Sequence, residues 1–94
     1  MDLEDIKRLD IFTFLENLGC IEDKKKGSKY GKLYKSPEGN KIWARYDYKT
    51  EKYFYINLSG SDKGSIIDYI QRYIIKRNNI GLVRKYIDNN IHLF

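Results

Sequence analysis

The sequence predicts an α+β fold: a small antiparallel β-sheet with N-terminal and C-terminal helices packed on it. Three observations carry that expectation. Apolar residues recur at helical spacing near both ends of the chain. Residues 30–58 between them are rich in aromatic and β-branched side chains, interrupted by turn signals. The chain has 94 residues, the size of one domain spanning 1–94, with no repeat, linker or low-complexity tract.

The first segment reads as helix. Leu3 and Ile6 make a short apolar stripe, and Asp10 is placed to cap a second helix carrying Ile11, Phe14, Leu15 and Leu18 on one face. Gly19 suits the stop, since glycine takes the left-handed conformation that ends many helices. Residues 22–35 hold six lysines and two glycines, which predicts a loop leading into a short strand at 30–35. Ser36-Pro37-Glu38-Gly39-Asn40 is a dense turn signal.

Residues 41–48 and 53–58 then predict a β-hairpin. Its register decides which side chains meet water, because a one-residue slip inverts both faces. A connecting loop with an odd number of residues places Ile42, Ala44, Tyr46 and Tyr48 with Phe54, Ile56 and Leu58, an apolar face fit for a core. Lys41, Trp43, Arg45, Tyr53, Tyr55 and Asn57 then share the opposite face. An even loop groups Tyr46, Tyr48, Tyr53 and Tyr55 and sets Arg45 and Asp47 among Phe54, Ile56 and Leu58. Burying those charges is costly, so the odd loop is the expectation. Residues 59–64 read as a loop. Ser65 opens a helix, with Asp68 completing a capping-box pattern and Ile66, Tyr69, Ile70, Tyr73 and Ile74 at helical spacing. Asn78-Asn79 breaks it before a last helix with Leu82, Val83, Tyr86 and Ile87.

Charge is unevenly spread. Residues 1–23 carry seven acidic and two basic side chains, a net of −5; residues 24–58 carry ten basic and three acidic, a net of +7. Residues 59–94 have a net of +3. A basic middle favours a polyanionic partner through release of counterions, and it also serves as a solvated surface. Eight aromatic residues fall in the same middle: Tyr30, Tyr34, Trp43, Tyr46, Tyr48, Tyr53, Phe54 and Tyr55.

The composition argues against several classes. The lone Cys20 and lone His92 are too few for a four-ligand zinc site and permit no internal disulfide. Cys20 has no histidine near it in sequence, so no nucleophile–base pair is indicated. The expectation is no enzyme, no metal and no cofactor. No apolar run reaches the length of a membrane span, and the acidic start does not resemble a signal peptide, so a cytoplasmic protein without a membrane partner is expected. Gly60 to Ser65 lacks the spacing of a nucleotide-binding P-loop. It could rest one backbone phosphate on a helix start through Lys63, Gly64 and Ser65, or be a plain loop and cap.

Single-stranded nucleic acid is held by cations along its backbone and rings under its bases. Lys24, Lys25, Lys26, Lys29 and Lys32 are the candidate phosphate contacts. Trp43, Tyr53 and Tyr55, flanked by Lys41 and Arg45, are the candidate stacking platform. The same aromatic face would also suit a protein partner or a second copy of the chain.

The order of segments resembles the N-terminal zinc-ribbon domain of bacterial replicative primases. It is more similar to zinc-less relatives of that domain in primase-like and mobilisation proteins of plasmids and transposons. The residues that carry the resemblance are Asp10 to Gly19, Gly27 to Tyr30, Leu33 to Pro37, Arg45 to Tyr48, Tyr53 to Tyr55, the turn into helix at Lys63 to Ile70, and the closing segment Asn79 to Asp88. The zinc-binding members' ligand pairs would fall near Tyr34 and Pro37, and near Asn57 and Gly60, none of which can bind zinc. The resemblance implies a zinc-ribbon-like sheet held by packing, with Tyr34 filling space where metal would sit. It further implies a non-catalytic accessory domain of a mobile-element DNA replication or plasmid mobilisation system, free-standing or part of a longer protein. Single-stranded DNA is the implied partner, and a helicase, relaxase or polymerase could dock instead or as well.

Overall fold

The computed structural model describes all residues from Met1 to Phe94. The chain begins with two short helices, α1 (Leu3–Lys7) and α2 (Ile11–Asn17). Asp2 and Asp10 cap them: the Asp2 carboxylate accepts from the Asp5 amide at 2.8 Å, and Asp10 from the Phe12 amide at 2.9 Å. Gly19 follows with a φ of 92°, the left-handed turn that releases the chain into the sheet.

Five strands follow in order of sequence, each antiparallel to the last: β1 (Ile21–Asp23), β2 (Gly31–Lys35), β3 (Lys41–Asp47), β4 (Lys52–Asn57) and β5 (Lys63–Gly64). β1 lies where the sequence predicted only loop. Three alternating residues amid charged neighbours give little strand signal, and pairing with β2 supplies what propensity does not. Helices α3 (Ile66–Tyr73) and α4 (Ile80–Asn89) and a closing 3-10 turn over Ile91–Leu93 complete the chain. The Ser65–Asp68 capping box is formed, with the Ser65 amide donating to Asp68 at 2.8 Å.

The hairpin register differs from the expectation. Ile42 pairs with Asn57, Ala44 with Tyr55 and Tyr46 with Tyr53, across the four-residue turn 48–51. The loop is even. Ile42, Ala44, Tyr46, Tyr53, Tyr55 and Asn57 therefore share one face, and Trp43, Arg45, Phe54 and Ile56 share the other. The objection to this register was the burial of Arg45 and Asp47. It fails because the face that carries them is the open one, with Arg45 exposed. Asp47 is used by the turn itself, accepting from the Lys49 amide at 3.0 Å and the Thr50 hydroxyl at 3.1 Å. Tyr48 and Leu58, expected in the core, are exposed.

All four helices lie on the Ile42–Ala44–Tyr55 side. There Tyr34, Ile42, Ala44 and Tyr55 join Ile6, Ile11, Phe14, Leu15, Ile66, Ile70, Val83 and Ile87 in one buried cluster. Tyrosine is usable in so small a core because each polar tip finds a partner. The Tyr34 hydroxyl donates to Glu16 at 2.6 Å. Tyr55 and Tyr73 both donate to Asp62, at 2.9 and 2.5 Å, while Arg72 and the Asn57 amide group donate to Tyr55 and Tyr73 in turn. No buried side-chain polar atom lacks a partner.

Asp62 is the hub that fastens the 58–64 loop to α3. Burial pushes its carboxyl up, but hydrogen bonds from Tyr73 and Tyr55 and the charge of Arg72 outweigh that and hold it below the ordinary aspartate value. A depressed folded-state pKa means that Asp62 adds stability above about pH 4, the unfolded range, and loses it as pH falls through the lower folded value. Asp62→Ala is expected to cost about 2 kcal/mol at pH 7. Urea melts of both proteins at pH 7 and pH 3 should show the gap narrowing in acid.

Candidate nucleic-acid interface

Alternation along the strands sends one set of side chains away from the helices. On this open face Leu33, Trp43, Ile56 and Lys63 form a row across β2, β3, β4 and β5. Gly31, Arg45 and Phe54 form the next row, and Lys35 and Lys41 pair on the other flank. None of Leu33, Trp43, Phe54 or Ile56 packs against the buried cluster. The face thus has an apolar, ring-bearing centre with Lys41, Arg45 and Lys63 exposed around it. The Arg45 guanidinium sits 5.7 Å from the centre of the Phe54 ring. A shallow depression of about 420 Å³ opens beside them, lined by Arg45, Phe54, Tyr55, Ile56, Lys63 and Gly64.

Trp43 is held flat by a specific device. A Cβ on Gly31 would lie 2.3 Å from the Trp43 ring, so the indole rests over bare backbone. Side-chain loss at residue 31 is what lets the ring lie along the sheet.

The structure divides the residues expected to form one surface. Lys41, Trp43, Arg45 and Lys63 come together on the open face. Tyr53 and Tyr55 do not: the even register turns both to the helix side. Tyr55 is 1% exposed, and Tyr53 packs edge-on against Phe12 with ring centres 5.5 Å apart. Neither can be part of the platform. Phe54 and Ile56 take their places, and the register chosen on charge-burial grounds hid them. Lys32 also faces the helix side, its ammonium 4.9 Å from the Phe12 ring. Lys24, Lys25, Lys26 and Lys29 lie exposed in the β1–β2 connection. At the start of α3 the Ser65 amide and hydroxyl are both engaged by Asp68, and a Cβ on Gly64 would strike that same carboxylate. A carboxylate already fills the position proposed for a phosphate, which removes Gly64 and Ser65 from the candidate contacts.

A third aromatic group lies apart from both core and open face. Tyr30 and Tyr48, 46% and 65% exposed, pair with ring centres 5.7 Å apart beyond the end of β2 and β3. The Lys29 ammonium is 5.5 Å from the Tyr30 ring.

Cys20 is buried, and burial pushes its thiol up to about 11, away from nucleophilic use. No cluster of three or more His, Cys, Asp or Glu side chains is placed to hold a metal ion. No helix is long and apolar enough to cross a membrane. The search for similar proteins returned no matching family model, no curated relative and no solved structure.

Two outcomes are expected. In native protein at pH 8, Cys20 should resist a disulfide reagent such as dithionitrobenzoate and react fully once guanidinium unfolds the chain. Gly31→Ala should displace the indole, read as a shift in the emission of Trp43, the sole tryptophan.

Proposed function

We propose that this chain is a non-catalytic single-stranded nucleic-acid-binding domain that uses the open face of its sheet. The observation that carries the reading is that face: Trp43 and Phe54 lie on a sheet surface free of helices, with Lys41, Arg45 and Lys63 exposed around them. Flat rings accept unstacked bases of any identity, and the surrounding cations neutralise the phosphates. A duplex has its bases stacked away and would meet only the cations.

The resemblance to zinc-less relatives of the primase zinc-ribbon domain supports DNA as the strand and a mobile-element replication or mobilisation system as the setting. Two features are consistent with it. The last strand, Lys63–Gly64, ends in a glycine and leads through Ser65 into a capped helix at Ile66. At positions where zinc-binding members would carry ligands, Tyr34 is buried and bonded to Glu16, and Asn57 is buried and bonded to Tyr73 and to the Ser59 and Gly60 amides.

A second reading, a face for a partner protein such as a helicase, relaxase or polymerase or for a second copy, rests on the row Leu33–Trp43–Ile56. It is apolar throughout, and Ile56 is 38% exposed.

One titration separates the two. Oligothymidylate should quench Trp43 fluorescence, and the affinity should fall about 20- to 50-fold between 50 and 200 mM salt if roughly three or four phosphates are neutralised. Phe54→Ala should weaken binding about tenfold or more, as loss of one stacked base does. Absence of quenching at low salt, or quenching that salt leaves unchanged, would reject the nucleic-acid reading and leave the protein-docking one.

A further inference from the structure

We propose that the cleft between β1, Leu33 and the 36–40 turn is a nucleotide subsite at the flank of the open face, with guanine as its preferred base. Lys35 and Lys41 hold the phosphate there, and the Asp23 carboxylate accepts from the base. This rests on the reading of the open face given above.

Strand alternation makes the cleft part of the open face. Ile21 pairs with Lys35 and Lys35 with Lys41, while Asp23 pairs with Leu33 and Leu33 with Trp43. All of these side chains therefore stand on the Trp43 side of the sheet. The cavity beside them measures about 490 Å³, within the usual range of small-ligand sites. Leu33 belongs both to its wall and to the Trp43 row. The Trp43 ring leans the other way, over Gly31, which leaves the side toward Lys35 and Lys41 uncovered. A strand stacked on Trp43 meets the cleft one strand spacing away, about 5 Å.

Three features of the cleft point to a ligand. Lys35 and Lys41 lie directly opposite each other, both exposed, and neither forms an ion pair. Like charges facing across a ladder are destabilising, and an anion between them removes the repulsion. Ile21 is 74% exposed, the most exposed large apolar side chain of the protein, and lies outside the core and its packed margin. With Leu33 and Pro37 it makes an apolar wall for a flat base. The walls are also fixed beforehand. The Ser36 amide donates to the Asn40 carbonyl at 2.9 Å, the Asn40 amide donates to the Ser36 hydroxyl at 3.1 Å, and Pro37 lies against Gly19. Little freedom is then lost on binding.

Asp23 gives the site its preference. Its Oδ1 accepts from the Lys25 amide at 3.1 Å, which orients the carboxylate, and its Oδ2 has no hydrogen-bond or ion-pair partner. The other carboxylate at the cleft, that of Glu22, alternates to the opposite face and lies toward Gly27. An ionised carboxylate only accepts hydrogen bonds. Guanine offers it two neighbouring donors on its pairing edge, the N1–H and the 2-amino group; thymine offers one N–H between two carbonyl oxygens. The same carboxylate repels a phosphate, so the backbone is confined to the Lys35–Lys41 side.

The test is the affinity of the full chain for three oligonucleotides, read from the midpoint of Trp43 quenching: dT7, and the same heptamer with guanine or inosine at its centre. Inosine lacks the 2-amino group. Circular dichroism confirms that the variants Asp23→Asn and Lys35→Ala fold; asparagine keeps the oxygen that accepts from Lys25. At low salt the wild type should bind the guanine heptamer about tenfold tighter than dT7, and the inosine heptamer at least about threefold more weakly than the guanine one. In Asp23→Asn the guanine advantage should fall to about twofold or less, with dT7 bound no more weakly. Lys35→Ala should weaken binding of all three and lower the salt slope by about one. Three results would each overturn the subsite and leave the open face standing: no guanine preference over dT7 or over inosine in the wild type, a preference that survives Asp23→Asn, or an unchanged salt slope in Lys35→Ala. Absence of Trp43 quenching by all three oligonucleotides overturns both readings.

Discussion

The assignment of the hairpin's side chains to core or solvent depends on one constraint, the register of β3 against β4. It is set by the turn at 48–51, where Asp47 accepts from the Lys49 amide and the Thr50 hydroxyl and its carbonyl accepts from the Glu51 amide. Glu51 takes a left-handed conformation, with a φ of 59°, to close the loop at four residues. A loop one residue longer or shorter would exchange the faces: Tyr55 would leave the core and Phe54 would enter it. A short polar turn thus sorts the aromatic residues between packing and surface.

On the packed side the consequence is a core built partly of tyrosine. Burial pushes the phenols of Tyr34, Tyr55 and Tyr69 well above the ordinary tyrosine range, so they remain neutral donors. Tyr55 and Tyr73 converge on Asp62, Tyr34 on Glu16, and Tyr69 packs between Tyr55 and Phe14. Wide rings fill the sheet–helix space alongside the isoleucines of the helices. The hydroxyls of Tyr34, Tyr55 and Tyr73 reach the margin, where Glu16 and Asp62 accept from them.

Helix starts and the packed helical faces were legible because each was written locally. Asp10, Ser65 and Asp68 carry their capping chemistry within three residues, and Ile66, Ile70, Val83 and Ile87 recur at helical spacing. The α+β arrangement followed from the order of those segments. The hairpin faces were not legible, since both registers gave one face of mixed charge. The choice turned on assuming that an apolar row must be buried, and the row Leu33–Trp43–Ile56 is not. Of the candidate site, Lys41, Trp43 and Arg45 were found because alternation along one strand keeps them on one face under either register, whereas Lys63 was chosen for a helix-start phosphate and joins the face by pairing with Ile56. Phe54 and Ile56 were missed because their fate hung on the parity of one loop. The signal that could have found them was Asp47 followed by Thr50, a turn-capping pair that removes the charge from the burial question.

The lengths of the outer strands bear on how such a face can exist in solution. β1 has three residues and β5 two, against seven in β3. A sheet grows by hydrogen-bonding another chain along its edge, and a short edge offers few free amides and carbonyls for that. The lysines after β1 and Lys63 in β5 place positive charge along both margins, which repels a second copy arriving edge to edge. This chain can therefore leave an apolar sheet surface uncovered while denying it the lateral growth by which exposed sheets become fibres.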